Sequence, residues 1–313
     1  MLSLDFAARK GASGRMEPWV IVTVAAAAMQ TLRFSLQKQL KVLGLSTAAA
    51  TASRFVFAAP LALAGTVALM AWRSYGLPEL SGAFWPAVVG GGLAQIIATF
   101  CTVALFSQRS FAVGIAFTKT EVLQVAIFSA VILGEKVSGP GMMAILTGLA
   151  GVLVLSRPAG GWSLKGFANR ATFLGVVAGG LFGVSAIAYR AATLAIAVDD
   201  ALFRAVFALA AVTSVQTLMM LPYLIWREPG EVGRVVAARR PAFWVGVTGM
   251  LGSLGWFVAF ALQNAAYVRS VGQIELVFTV LVSTLVFGER PSRRELAGIG
   301  LLAASIVGIV RAS

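Results

Sequence analysis

The chain has 313 residues, of which 59% are hydrophobic and only 12% charged, and its mean hydropathy is +0.88. That balance excludes a soluble domain of this size and indicates a polytopic membrane protein. The formal net charge of +13 does not point to nucleic acid, because the 25 Lys and Arg residues are spread over loops and tails, where anionic lipid headgroups account for them.

In chain order, residues 1–17 form a tail with Asp5, Arg9, Lys10, Arg15 and Glu17 and little apolar content. A cleaved signal peptide is therefore not expected, and Met16 is an alternative start. Apolar runs then follow at about 18–37, 47–72, 84–107, 111–134, 139–156, 172–196, 199–226, 242–266, 270–288 and 294–311. Their length and scattered Gly and Ala read as membrane helices, since a bilayer core tolerates only backbones that satisfy themselves. The longest polar connections, Arg157 to Ala171 and Arg227 to Arg240, are too short for a soluble domain. Cys101 is the only cysteine and histidine is absent, so intrachain disulfides and the usual zinc or haem sites are excluded and no cofactor is expected.

The connection at 157–171 divides the chain into five-span units, 18–156 and 172–311. Ser53-Arg54-Phe-Val-Phe-Ala58 matches Phe203-Arg204-Ala-Val-Phe-Ala208 at an offset of 150, and Lys38 can be set against Arg190. Lys119-Thr-Glu121, closing at Gly134-Glu135-Lys136, returns as Gln273-Ile-Glu275, closing at Gly288-Glu289-Arg290. In both copies the two glutamates are 14 residues apart, roughly 21 Å along a helix. An odd span count makes the units run in opposite senses. The predicted fold is thus an all-α membrane protein of ten transmembrane helices arranged as two inverted five-helix repeats, with a substrate site at their interface near the midplane. Ser138-Gly-Pro140 and Ser292-Arg-Arg-Glu295 read as helix starts, the second as a capping box.

These residues resemble the EamA-type family of the drug/metabolite transporter superfamily. The likeness runs from about Pro18 to Arg311 and rests on the two five-span units, the duplicated Gly-Glu-Lys/Arg endings, and the Gly-rich spans that follow them, Gly148-Leu-Ala-Gly151 and Gly298-Ile-Gly300. It implies a secondary transporter with a central cavity lined mainly by the first four spans of each unit, the fifth packing peripherally. One departure is Glu121, where such proteins often carry a proline.

Within the spans the charged residues are Arg33, Arg54, Lys119, Glu121, Arg204 and Glu275, with Asp199 and Asp200 at a span edge. A charge at mid-bilayer is costly and usually faces a cavity or a partner. Glu121 and its counterpart Glu275 lie too deep to reach the interface, and buried carboxyls can titrate in the physiological range, as proton coupling requires. The alternative is a structural ion pair, for instance of Glu121 with an arginine from another span. Arg54 and Arg204 suit a substrate anion, the glutamates, or snorkelling to the interface. Lys119, two residues before Glu121, points to another face and presents an ammonium to substrate or to a partner.

The candidate substrate-binding or coupling residues are therefore Glu121, Lys119, Glu275, Arg54, Arg204 and Gln273. Arg33, four residues from the predicted end of its span, reads as an interfacial anchor. Glu135 and Glu289 read as structural partners of Lys136, Arg290 or nearby loop groups. Gln30, Gln95, Gln124, Thr120 and Asn264 could line a polar path or bond helix to helix. Phe117, Phe182, Tyr189, Trp256 and Phe260 could wall a cavity or pack, and the Gly175, Gly179, Gly183 stripe allows close helix packing or sliding. Because Gln273 stands where the first unit has Lys119, the site is expected to be asymmetric.

Thirteen Lys and Arg residues fall in loops on one side and eight on the side of the termini. The positive-inside rule thus predicts both termini outside, whereas the resemblance implies both in the cytoplasm. The expectation is a bacterial inner-membrane protein, monomer or homodimer, whose partners are membrane lipids and a small-molecule substrate, an amino acid-like or drug-like metabolite, with protons as candidate coupling ions. Facilitative exchange on the same fold is the alternative. A membrane enzyme acting on lipid-linked substrates is disfavoured by the absence of histidine, of a metal-ligand cluster and of a nucleophile-base pair, and a non-transporting receptor or assembly factor is the remaining class.

Overall fold

The computed structural model describes residues 17–105, 117–156, 170–287 and 291–313. The first six residues of the predicted fourth span, the Gly288-Glu289-Arg290 ending, and most of the tail and inter-unit loop lie outside the described residues. The chain is helical, with α1 Pro18–Val42, α2 Thr47–Arg73, α3 Phe84–Leu105, α4 Glu121–Ile132, α5 Gly139–Leu155, α6 Arg170–Leu194, α7 Ala201–Arg227, α8 Glu231–Ala237, α9 Arg239–Leu262, α10 Ala265–Val271, a 3₁₀ turn Gly272–Ile274, α11 Glu275–Phe287 and α12 Arg293–Ala312. Among the described residues seven helices, α1, α2, α3, α6, α7, α9 and α12, are long and apolar enough to cross a membrane.

The helix starts follow local chemistry. The Ser138 side chain accepts from Gly141 N at 3.2 Å with Pro140 in the first turn, and Asp200 accepts from Phe203 N at 3.0 Å to open α7. Ser292 and Glu295 form the reciprocal capping box expected at α12. Ser292→Ala leaves the Glu295 N–H without its acceptor, so thermal unfolding in detergent should show a loss of about 1 kcal/mol.

Two boundaries differ from the sequence reading. Helix α1 continues past residue 37 to Val42, because Leu40 is fully buried and the turn begins only at Leu43. The polar stretch around Arg269 is not a loop. The chain breaks earlier, at Gln263-Asn264, where the Asn264 side chain caps α10 by accepting from Ala266 N at 2.8 Å. Arg269 therefore lies within a helix, three residues before the 3₁₀ turn that separates α10 from α11.

Helices from the two parts of the chain pack against each other: α1 on α9, α3 on α6, α2 on α7 and α5 on α12. Small residues permit the approach. A Cβ on Gly151 would lie 2.9 Å from the Gly298 carbonyl oxygen, and one on Gly179 would lie 2.8 Å from that of Thr118. The two loops that carry Leu80 and Ile196 join through a single antiparallel bridge, with Ser81 N donating to Ala195 O at 2.9 Å.

Candidate functional site: a central cavity with crossed ion pairs

Where α1, α2, α3, α6, α9 and the breaks before α4 and α11 converge, they enclose a cavity of about 760 Å³. Helices α5 and α12 contribute nothing to its lining, in keeping with a peripheral fifth span, and α7 contributes nothing either.

The charged centre is built on two matching interruptions. Helix α4 begins at Glu121 directly after a turn at Lys119-Thr120, and α11 begins at Glu275 directly after the 3₁₀ turn. Each carboxylate thus occupies the first turn of a helix, where the macrodipole favours an anion, rather than the middle of a continuous span. Glu121 is 3% exposed and is paired with Arg269, whose Nη2 donates to Oε2 at 2.6 Å while Nε lies 2.6 Å from Oε1. Glu275 is paired with Lys119, and its Oε2 accepts from Gln30 Nε2 at 2.8 Å. The two pairs cross, since each acid takes its base from the other part of the chain. A hydrogen bond between two charged groups is a strong form of such a contact.

Trp256 ties this centre together. Its Nε1 donates to Gln30 Oε1 at 3.1 Å, and the Arg269 guanidinium sits over its ring at 4.7 Å from the centroid. Tyr189 stacks on Phe257, the neighbour of Trp256, at 4.6 Å and donates to Gln95 Oε1 at 2.9 Å, which also accepts from Gln216 Nε2 at 2.9 Å. Arg54 lines the cavity and donates from Nη2 to Ser253 Oγ at 3.0 Å.

Of the six candidate residues, the cavity brings together Glu121, Lys119, Glu275 and Arg54. Arg204 is not among its lining residues. Helix α7 begins at Ala201, so Arg204 lies in the first turn, while Arg54 is a full two turns into α2, which begins at Thr47. Gln273 also stands outside the lining, buried in the 3₁₀ turn with Nε2 donating to Arg269 O at 3.2 Å. It stitches the helix break behind the wall. Arg33, expected at the interface, is 3% exposed and lines the cavity, because the continuation of α1 to Val42 places it nine residues from the helix end.

Gln30, Gln95, Phe182, Tyr189, Trp256 and Phe260 line the cavity, whereas Phe117, Thr120, Gln124 and Asn264 do not. Arg269 was the cavity-lining cation hidden by a loop reading, and its place six residues before Glu275 in an apolar run was the available signal. Among the described residues no group of three His, Cys, Asp or Glu residues is placed to hold a metal.

Glu135 pairs not with Lys136 but with Arg190 of α6. Gly134, at φ +67°, supplies the left-handed turn that sends Glu135 back, where it also accepts from Ser129 Oγ at 2.9 Å. Arg190 in addition donates to the carbonyls of Phe260 and Gln263, closing the end of α9 onto α4 and α6. Arg190→Met should cost about 2–3 kcal/mol in thermal unfolding, and Glu135→Gln, which keeps an acceptor, should cost less.

Residues 169–311 match the EamA-like transporter family. No curated protein matches the chain. A solved structure described only as a crystal structure of a protein aligns at a TM-score of 0.69 and 16% identity, over 94% of this chain and 96% of that one, which establishes a shared fold. With its long apolar helices the chain is an integral, multi-pass membrane protein, and its residues 169–311 are similar to the EamA-like transporter family.

Proposed function

We propose that the chain is a secondary transporter of ten spans, two inverted five-helix repeats, that moves a small polar or amphipathic metabolite by alternating access. The observation that carries this reading is the crossed ion pairs, Lys119 with Glu275 and Arg269 with Glu121, at helix breaks inside an apolar scaffold. Irregular backbone at membrane depth is tolerated where it lines a cavity. The packing partners support the inverted arrangement. Exchanging the two repeats turns the α1–α9 contact into the α6–α3 contact and maps α2–α7 and α5–α12 onto themselves. Protons are the proposed coupling ions, competing with Arg269 and Lys119 for the two carboxylates.

The test is flux into liposomes containing purified protein, for the wild type and for Glu121→Gln and Glu275→Gln. Coupling requires that both variants lose the dependence of flux on external pH; unchanged rates and pH profiles would reject it. A facilitative exchanger on the same fold is the second reading. It is favoured by the cation that each carboxylate already holds, and counterflow that is insensitive to pH and retained in both variants would establish it.

A further inference from the structure

Among the described residues the cavity is not electrically balanced: its lining contains five cations, Arg33, Lys38, Arg54, Lys119 and Arg269, against the two carboxylates Glu121 and Glu275. The crossed pairs use Lys119 and Arg269, which leaves Arg33, Arg54 and Lys38, and among the described residues none of these three lies within ion-pair distance of an acid.

Two of the three are deeply buried, Arg33 at 3% and Arg54 at 6% exposure. A guanidinium has five N–H groups. The bonds to neighbours are few: Arg33 Nη1 donates to Gln37 Oε1 at 2.8 Å, and Arg54 Nη2 to Ser253 Oγ at 3.0 Å. Their rings of contact are Phe34, 4.1 Å below the Arg33 guanidinium, and Phe55, 5.3 Å from that of Arg54. A snorkelling arginine would carry its head to the interface, and these do not.

The two side chains also converge. A Cβ on Gly249 of α9 would lie 3.0 Å from Arg54 Cγ and 3.3 Å from Arg33 Cδ. Like charges gathered in a low-dielectric pocket repel strongly and are costly to keep without a counter-ion. A planar fork is shaped to hold a carboxylate or phosphate at two points.

Charge is sorted along one face of α9. Gly249, Ser253 and Trp256 share that face, and seven residues separate its ends, about 10 Å. The Trp256 end faces the balanced quartet through Gln30 and Arg269. The Gly249 end has Arg33 and Arg54 as its nearest side chains. Lys38 is exposed at the rim, where it would draw anions toward the opening.

Resting on the transporter reading above, we propose that the substrate is a small organic anion whose carboxylate or phosphate group is held between Arg33 and Arg54, with its remainder directed toward Trp256. Its charge offsets the surplus that the described lining residues leave.

The experiment is a thermal-shift panel on the purified, detergent-solubilised chain using succinate, glutamate, benzoate, glycerol 3-phosphate and phosphoenolpyruvate. Succinate, benzoate and glycerol 3-phosphate are paired with counterparts that carry no anionic group: succinamide, benzamide and glycerol. At least one acid should raise the melting temperature by several degrees while its neutral counterpart does not. Arg33→Gln and Arg54→Gln should abolish that shift, and Arg234→Gln, at an exposed site outside the cavity, should preserve it. Arg33→Lys and Arg54→Lys keep the charge without the fork and should retain a reduced shift. They also serve where the glutamine variants are not monodisperse.

The proposal is overturned if no acid stabilises, if neutral counterparts stabilise equally, or if the shift survives in both arginine variants. Counterflow in liposomes separates the two levels of inference. Flux of a neutral solute that is indifferent to Arg33→Gln and Arg54→Gln rejects the anion and keeps the transporter. Arginine-dependent binding of an acid without flux keeps the anion site and rejects the transporter.

Discussion

Arg269→Ala should destabilise the protein by about 3–5 kcal/mol and stop transport, because it strands the Glu121 carboxylate at 3% exposure without its charge partner. Glu121→Ala should cost a similar amount by stranding the guanidinium over Trp256. Removing both together should cost much less than the sum, since neither then leaves an uncompensated buried charge. Thermal unfolding of the two single variants and the double variant closes the cycle. Additive losses would show that the two groups do not act as a pair. The same reasoning applies to Lys119 and Glu275, with a smaller expected loss because Gln30 still holds one Glu275 oxygen after Lys119→Met.

The second large effect concerns Gly179. A Cβ there would lie 2.8 Å from the Thr118 carbonyl oxygen and 3.3 Å from the Glu121 amide nitrogen, and both are backbone atoms. Gly179→Leu cannot be absorbed by turning a side chain. It must displace the turn that presents Lys119 and Glu121, at a cost of about 3 kcal/mol and with a fall in flux. Gly90→Ala provides the contrast, because nothing lies within 4 Å of the added Cβ. That variant should fold and transport as the wild type does. If Gly179→Leu matched it in melting temperature and flux, the close packing of α6 on the helix break would have no functional weight.

Membrane class and most span positions were legible because apolar length and composition are nearly sufficient for them. The acids at 121 and 275 were legible for the same reason, as charges where none is cheap. Their partners were less so. Glu135 was read against its sequence neighbours, yet Gly134 turns it toward Arg190, 55 residues away. Arg269 was misread because polar residues between apolar runs suggest a loop, whereas the true connection is only Gln263-Asn264. Arg33 was misread because Gln37 and Lys38 suggested a helix end that comes at Val42. Depth in a span depends on where the helix stops, and one or two polar residues do not fix that. The matched Ser53-Arg54 and Phe203-Arg204 segments show the same effect: equal in sequence register, they differ in depth because α2 and α7 start at different distances from them.

The crossing of the ion pairs also bears on synthesis. Lys119 and Glu121, two residues apart, are not paired with each other, and their partners lie at Glu275 and Arg269. At ribosomal rates of about 5–20 residues per second, position 275 follows position 121 by roughly 10–30 s. For that interval the first part of the chain holds an acid and a base in the bilayer with no counterpart yet made. A nascent chain halted before residue 269 is then expected to be a ready target for membrane quality control, and the arrival of Arg269 and Glu275 is what commits the first part of the chain to its folded state.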